Sequence, residues 1–296
     1  DSVDKIIDEL KPERQTLLFS ATFPNEIRAV ARRIMNSPIM TEAELNHDDV
    51  TIDQHFYYVD DSQEKRLSAL RLLLMGYEPA SAVIFCNTKI ETREVADSLK
   101  ESGFAALALH GDLEQRDRDK ILVQFANGSA TILVATDVAA RGLDIDSIEA
   151  VFNYDLAHDP EVHVHRVGRT GRAGNSGKAF TLFTAREKYK IDSLESYIHK
   201  RISVESLPSK GLFDRPIMKP QNVTLRIDGG KRQKVRPGDI LGALTGKGGV
   251  NGSQVGKINI FDNFAYVALN QGIANKALNK LSEGKLKGRS FRVWCA

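Results

Sequence analysis

The strongest constraint on this chain is an alternation running from residue 53 to about 206. Short apolar, strand-like runs occur at 54–59, 82–86, 104–109, 131–135, 149–153 and 178–183. Amphipathic helical segments such as 89–101 and 113–126 lie between them. Strands too apolar to leave one face in water, interleaved with helices, require an open, mostly parallel sheet with helices on both faces. The expected fold class is therefore α/β. In such sheets ligands gather beyond the C-terminal ends of the strands.

The flanks follow other rules. Residues 16–20 read as a buried strand, followed by Ser20-Ala21-Thr22 and a helix from about Pro24 to Met35. Pro24 suits a first helical turn. A lone parallel strand cannot bury both its faces. Residues 1–40 are thus expected to be the tail of an incomplete domain, with the α/β domain at 41–206. Pro208, Gly211, Pro216 and Pro220 mark a linker at 207–220. Within 221–296 the expected order is strand 223–228, helix 237–245, strands 255–261 and 264–269, helix 271–282, strand 287–294. This α+β order, βαββαβ, is that of an RNA-recognition-motif (RRM) fold. Asp262-Asn263 is a plausible hairpin turn.

Charge separates the same regions. Residues 219–296 carry 14 Lys/Arg against 4 Asp/Glu, a balance of +10, whereas residues 1–218 balance to −8. A compact domain that basic points to a polyanion. No apolar run approaches the roughly 18 residues of a membrane helix, and the polar, acidic start is no signal peptide. Cys86 and Cys295 fall in different domains, which argues against a disulfide framework and for a reducing, cytoplasmic setting. No CxxC or zinc-like His spacing is present, so no metal site is expected.

Four segments carry chemistry. The densest is His165-Arg166-Val167-Gly168-Arg169-Thr170-Gly171-Arg172. If one short helix holds it, His165, Arg169 and Arg172 share a face. Adjacent guanidiniums need an anion between them, and a triphosphate tail matches their bidentate geometry. Ala135 to Asp144 follows a strand directly. Thr136 and the backbone there suit phosphate or ribose, and Asp144 could accept from a ribose hydroxyl. The plainer alternative is an N-cap at Asp137 and a turn at Asp144. At Phe85-Cys86-Asn87-Thr88-Lys89 one of Asn87 and Thr88 should cap the next helix, leaving the other and the helix N-terminus for a phosphate. The run from His110 to Arg118 has Gly111 after a strand end and Arg118 within the next helix. Alone it reads equally as solvated surface.

Together these segments resemble the DEAD-box family of superfamily 2 helicases. Ser20-Ala21-Thr22 is similar to motif III, 83–89 to motif IV, Gln115 with Arg118 to the QxxR element, 135–144 to motif V and 165–172 to motif VI. Ile227-Asp228-Gly229-Gly230-Lys231, Arg236 to Leu244 and Lys285 to Arg289 are similar to the DbpA (YxiN-like) subgroup. The resemblance implies a RecA-like sheet for 41–206 and an ATP-dependent, RNA-stimulated motor. It implies arginine fingers at Arg169 and Arg172, ribose contacts at Gly142 and Asp144, and RNA-backbone contacts at Thr88, Gly111, Arg118 and Thr136. Ser20 and Thr22 would couple hydrolysis to closure. ATP and Mg2+ would be held mainly by a first RecA-like domain, the motor's partner within a monomer. RNA, in the form of a large-subunit ribosomal RNA hairpin, would be the target, with ribosome assembly as the context.

The sequence contains neither GxxxxGK[ST] nor Asp-Glu-Ala-Asp. Gly242 to Lys247 is one residue short of a phosphate loop and has no strand before it. The chain alone is therefore expected not to hydrolyse ATP. A non-catalytic RNA-binding or regulatory protein is the alternative. In the C-terminal domain the first strand lacks aromatics, and Asp262 and Leu269 depart from the usual RRM pattern, so base stacking on the sheet is doubtful. Phe264 and Tyr266 share one face, Ala265 and Val267 the other, and either pair could be the core. RNA binding is expected instead at Lys231, Arg232, Lys234, Arg236, Lys285, Lys287, Arg289 and Arg292.

Overall fold

The computed structural model describes residues 2–11, 13–19, 25–41, 52–140, 148–171 and 176–296. It divides into two compact units, Asp1–His47 and Asp48–Ala296.

The first unit has helices α1 (Ser2–Asp8) and α2 (Asn25–Ile34). The strand expected at 16–20 does not form over its described residues. Leu17 and Phe19 are exposed, at 66% and 89%. A strand needs a neighbour for its backbone groups, and none occurs among the described residues of this unit.

The second unit opens with the expected parallel sheet. Its strands are β1 (Ile52–Tyr58), β2 (Ala82–Phe85), β3 (Ala106–Leu109), β4 (Ile132–Ala135), β5 (Ala150–Asn153), β6 (Gly177–Phe183) and β7 (Val204–Glu205). They lie in the order β3-β4-β2-β5-β6-β1-β7, every pairing parallel. Helices α3 (Gln63–Tyr77), α4 (Lys89–Glu101), α5 (Gln115–Ala126), α6 (Asp137–Ala140), α7 (Pro160–Val167) and α8 (Lys188–Ile198) connect them.

The alternation of strand side chains builds two cores. Ile84, Val134, Phe152 and Phe180 pack with Leu70 and Leu73 of α3 and Val95 and Leu99 of α4. Val83, Leu133, Val151 and Ala179 pack on the other face with Phe125 of α5 and Val167 of α7. Strands β2, β4 and β5 are buried throughout, which is why they read as unbroken apolar runs. The 207–220 segment is pinned to α3: Arg71 lies over the Phe213 ring at 5.0 Å.

The C-terminal part has a four-stranded antiparallel sheet, β8 (Asn222–Ile227), β9 (Val255–Ile260), β10 (Ala265–Asn270) and β11 (Val293–Cys295), in the order β11-β8-β10-β9. Helices α9 (Pro237–Thr245) and α10 (Ala274–Glu283) cover one face. This is the expected βαββαβ order. Ala265 and Val267 are the core pair of β10. The last strand is shorter than the expected 287–294. Lys287 and Gly288 take positive φ of 52° and 77°, and Leu286 and Arg289 bond each other's backbone across that turn, so extension resumes only at Val293.

Candidate functional site

Of the segments singled out from sequence, the described residues of three, Asn87 and Thr88, Gly111, and Thr136, lie just beyond the C-terminal ends of β2, β3 and β4, whereas the run from His165 ends near the start of β5, where Thr170 bonds the Ile148 and Glu149 carbonyls. After β2, Thr88 caps α4, its Oγ1 accepting from the Glu91 N–H at 3.2 Å. Asn87 is held on three sides: its N–H donates to Asp155 Oδ2 at 2.9 Å, its Nδ2 to the Leu156 carbonyl at 3.0 Å, and its Oδ1 accepts from Arg166 at 2.8 Å. Thr88 is the residue of the two that faces solvent. After β3, Gly111 is exposed, with nothing within 4 Å of where a Cβ would sit. The next residue, Asp112, takes hydrogen bonds from Lys89 at 2.8 Å and Arg93 at 3.0 Å. The Lys89 bond leads the effects that hold its carboxyl below the usual range. Arg118 in α5 donates to the Ala139 carbonyl of α6 at 2.6 Å, joining the QxxR helix to the segment after β4. Thr136 is half-buried at the end of β4.

The helix expected to present His165, Arg169 and Arg172 on one face ends earlier. α7 stops at Val167 with Gly168 as its C-cap. Beyond it, Thr170 Oγ1 donates to the Ile148 carbonyl at 2.5 Å, and Thr170 forms a bridge with Ile148. Pairing with residue 148 takes the chain out of the helix, so Arg169 stands in a turn, half-buried, and the helical-spacing argument does not hold. Arg172, Gly142, Asp144, Ser20 and Thr22 lie outside the described residues.

Sequence reasoning passed over Arg166, the centre of this region. Its side chain is 1% exposed. Nε and Nη2 donate to the two Asp137 oxygens at 2.6 and 2.8 Å, and Nη1 donates to the Asp155 carbonyl at 2.6 Å. Its guanidinium lies over the Phe85 ring at 5.2 Å. Asp137, read as a possible N-cap, is the first residue of α6 and spends its carboxylate on Arg166. Asp155 in turn takes Arg66 at 2.6 Å, and Arg66 also donates to Glu187 at 2.6 Å. Neighbouring His163 is pushed down to about 4 by burial and by Arg166. One signal was legible: an arginine inside a run that an apolar helix face must bury needs a carboxylate partner.

In the C-terminal domain the two basic clusters come together. Lys287 Nζ donates to the Lys234 carbonyl at 2.8 Å and pairs with Asp239 at 3.2 Å. The 230–236 loop is fixed from the other side by Lys231 N–H to the Phe261 carbonyl and Arg232 N–H to the Asp262 carbonyl, at 2.8 and 2.9 Å. Gly230 permits this approach, since a Cβ there would lie 2.2 Å from the Phe261 oxygen. Lys231, Arg232, Lys234, Arg236, Lys285, Lys287 and Arg289 are all exposed along these two turns. Arg292 departs from the group: its guanidinium lies over the Trp294 ring at 5.2 Å.

Comparison with known proteins fits both halves. Residues 64–174 match the helicase conserved C-terminal domain and residues 224–294 the DbpA RNA binding domain. The chain is 46% identical over 293 residues to the ATP-dependent RNA helicase DbpA of Escherichia coli, and 36% identical over 313 residues to that of Bacillus subtilis. Each match covers 99% of this chain, which spans 63% and 65% of those two proteins. Among solved structures, S. cerevisiae Dbp5 bound to RNA and ADP BeF3 is similar at 30% identity and a TM-score of 0.57, over 71% of this chain and 56% of that one. A DEAD box protein from the hyperthermophile Methanococcus jannaschii is similar at 38% identity and a TM-score of 0.50, over 69% and 55%. The α/β sheet, the order of the segments along its edge and the basic βαββαβ module make this chain a member of the DEAD-box RNA helicase family, of the kind that carries a DbpA-type RNA-binding domain.

Proposed function

We propose that this chain supplies the second RecA-like domain and the RNA-targeting module of an ATP-dependent RNA helicase. Arg169 and Arg172 act as arginine fingers on the γ-phosphoryl group, where positioned guanidiniums offset developing charge. Gly142 and Asp144 face the ribose. Thr88, Gly111, Arg118 and Thr136 hold the RNA phosphodiester backbone, so the motor is indifferent to base sequence. Ser20 and Thr22 couple hydrolysis to domain closure. ATP with Mg2+, held mainly by the first RecA-like domain, supplies the phosphoanhydride whose hydrolysis drives the cycle. The chain alone does not turn over ATP.

The exposed basic turns 231–236 and 285–289 bind a structured RNA, a hairpin of large-subunit ribosomal RNA, in the context of ribosome assembly. One observation carries this reading: Lys287 bonds the Lys234 backbone, so two sequence-distant basic clusters form one surface. Its test is titration of the 296-residue chain against a panel of large-subunit ribosomal RNA hairpins at fixed salt, with ATPase measured in parallel. A preferred hairpin and no turnover are expected. Equal affinity for every RNA and for DNA would defeat the targeting reading, and robust ATP turnover by the chain alone would defeat the division of the motor.

A further inference from the structure

Beyond the ends of β2 and β3 one carboxylate stands on two cations. Lys89 and Arg93 lie about one turn apart on α4 and share a side of it. Both reach Asp112, in the turn after β3, and each takes its own oxygen: Lys89 Nζ donates to Oδ1 at 2.8 Å and Arg93 Nη2 to Oδ2 at 3.0 Å. Arg93 has a second tie, its Nε donating to His110 Nε2 at 2.9 Å. That bond needs an unprotonated ring, and burial, then the Arg93 charge, holds His110 below its ordinary range. Arg93 is therefore aimed before any ligand arrives, forked between His110 and Asp112.

The position of this cluster gives it meaning. Lys89 follows Thr88 and Asp112 follows Gly111, the two residues that the proposed function sets against the RNA backbone. The Asp112 carboxylate thus closes the gap between the two turns. Space beside Gly111 is open, and the side chains of Lys89, Arg93 and Asp112 keep 55%, 47% and 42% exposure. Ion pairs this exposed hold weakly. The charges of the trio are also unequal, two cations sharing one anion. A phosphodiester offers the same charge and the same pair of acceptor oxygens. Further along α4, Asp97 pairs with Lys100 one to one at 3.0 Å, an exposed ion pair with no spare cation.

We infer that Asp112 is a built-in stand-in for an RNA phosphate: without RNA its carboxylate occupies Lys89 and Arg93, and a backbone phosphate displaces it to take both cations. Lys89 and Arg93 are then RNA contacts in addition to Thr88 and Gly111, and Asp112 sets how tightly the strand ends hold RNA. The exchange replaces one anion by another, so the grip gains little from charge and stays reversible. A motor that must release its RNA in every cycle needs such a grip. This inference rests on the RNA-backbone role proposed above for these strand ends.

The test uses the 296-residue chain and a fluorescein-labelled oligouridylate, single-stranded and without a hairpin. Asp112→Asn keeps the shape of the side chain and removes its charge. It should tighten binding about threefold to tenfold, the worth of one exposed charge at contact distance, and steepen the log–log salt dependence by about 0.7. Asp97→Asn removes the same charge from the Asp97–Lys100 pair and should leave both unchanged. Adding Lys89→Gln and Arg93→Gln to Asp112→Asn should abolish the gain. Equal tightening by Asp97→Asn, or a gain that survives loss of both cations, would reduce the effect to net charge and overturn the inference. Thr136→Val separates the inference from the reading beneath it. If Thr136→Val weakens binding while Asp112→Asn does not tighten it, the strand ends hold RNA and the stand-in role alone fails. If neither variant alters binding, the RNA-backbone reading fails and the inference with it.

Discussion

Arg166 and Asp137 form a two-bond ion pair at 2.6 and 2.8 Å, and this pair ties α7 to the start of α6. Arg166 also bonds Asn87 and the Asp155 carbonyl, so three strand ends are fixed by one guanidinium. Removing one partner of a buried pair leaves the other charge uncompensated. Arg166→Met should therefore cost about 3–5 kcal/mol, and Asp137→Asn, with the carboxylate 29% exposed, about 1–3 kcal/mol. Arg166→Lys should rescue little, because an ammonium cannot make the forked contact. Urea denaturation of the chain measures all three; a Lys variant as stable as the parent would refute the bidentate account.

If Arg169 is the arginine finger proposed above, Arg169→Ala in the full-length protein should leave RNA affinity intact and lower the ATPase kcat by about 10³-fold or more, the usual worth of such a residue. Arg169 follows Gly168 in the turn after α7, its N–H bonded to the Arg166 carbonyl at 3.1 Å. Steady-state ATPase with saturating RNA checks this. A change confined to KM would place Arg169 in binding instead.

Much of this arrangement was legible because it follows local rules. The helix at 89–101 was read to the residue, since Thr88 supplies a cap and the apolar stripe Val95, Ala96, Leu99 sets its face. The βαββαβ order likewise followed from Pro237 and the apolar spacing. Three features were not legible, and each depends on distant chain. The 16–20 run is apolar enough for a strand but shows no pairing partner among the described residues of its unit. Helical spacing at 165–172 was overridden by the bridge of Thr170 to Ile148. The face carrying Tyr266 could not be assigned, because helix α5, more than a hundred residues earlier, is what buries it.

The basic edge makes a salt prediction. Lys285 and Arg289 are exposed and flank the turn that Lys287 anchors. If each neutralises one phosphate, Lys285→Ala and Arg289→Ala should each flatten the log–log salt dependence of RNA binding by about 0.7–0.9. Lys287→Ala should do more, since it also releases Asp239 and the Lys234 backbone. Fluorescence titrations across ionic strength provide the slopes; unchanged slopes would remove these side chains from the interface.

Glu91 gives the chain a pH dependence opposite to that of most carboxylates. It sits in the first turn of α4, half-buried, with Asp155, Cys86 and Tyr154 around it and Arg66 and Glu94 nearby. Burial, then hydrogen bonding to Asp155, raises its carboxyl from 4.5 to about 8. The folded state thus keeps a proton that the unfolded chain releases. Folding stability should fall as pH rises from about 4.5 to about 8, and level off above that. Asp112 and Glu195, both held below their ordinary range, act in the other direction. Their contribution is lost as pH falls below the ordinary carboxylate range, so the two windows are separate. Glu91→Gln keeps a donor for Asp155 without a titrating proton. It should abolish the decline and gain on the order of 1 kcal/mol at alkaline pH, after discounting for solvent around a half-buried group. Urea midpoints across this pH range test it, and parallel curves for parent and variant would assign the proton elsewhere.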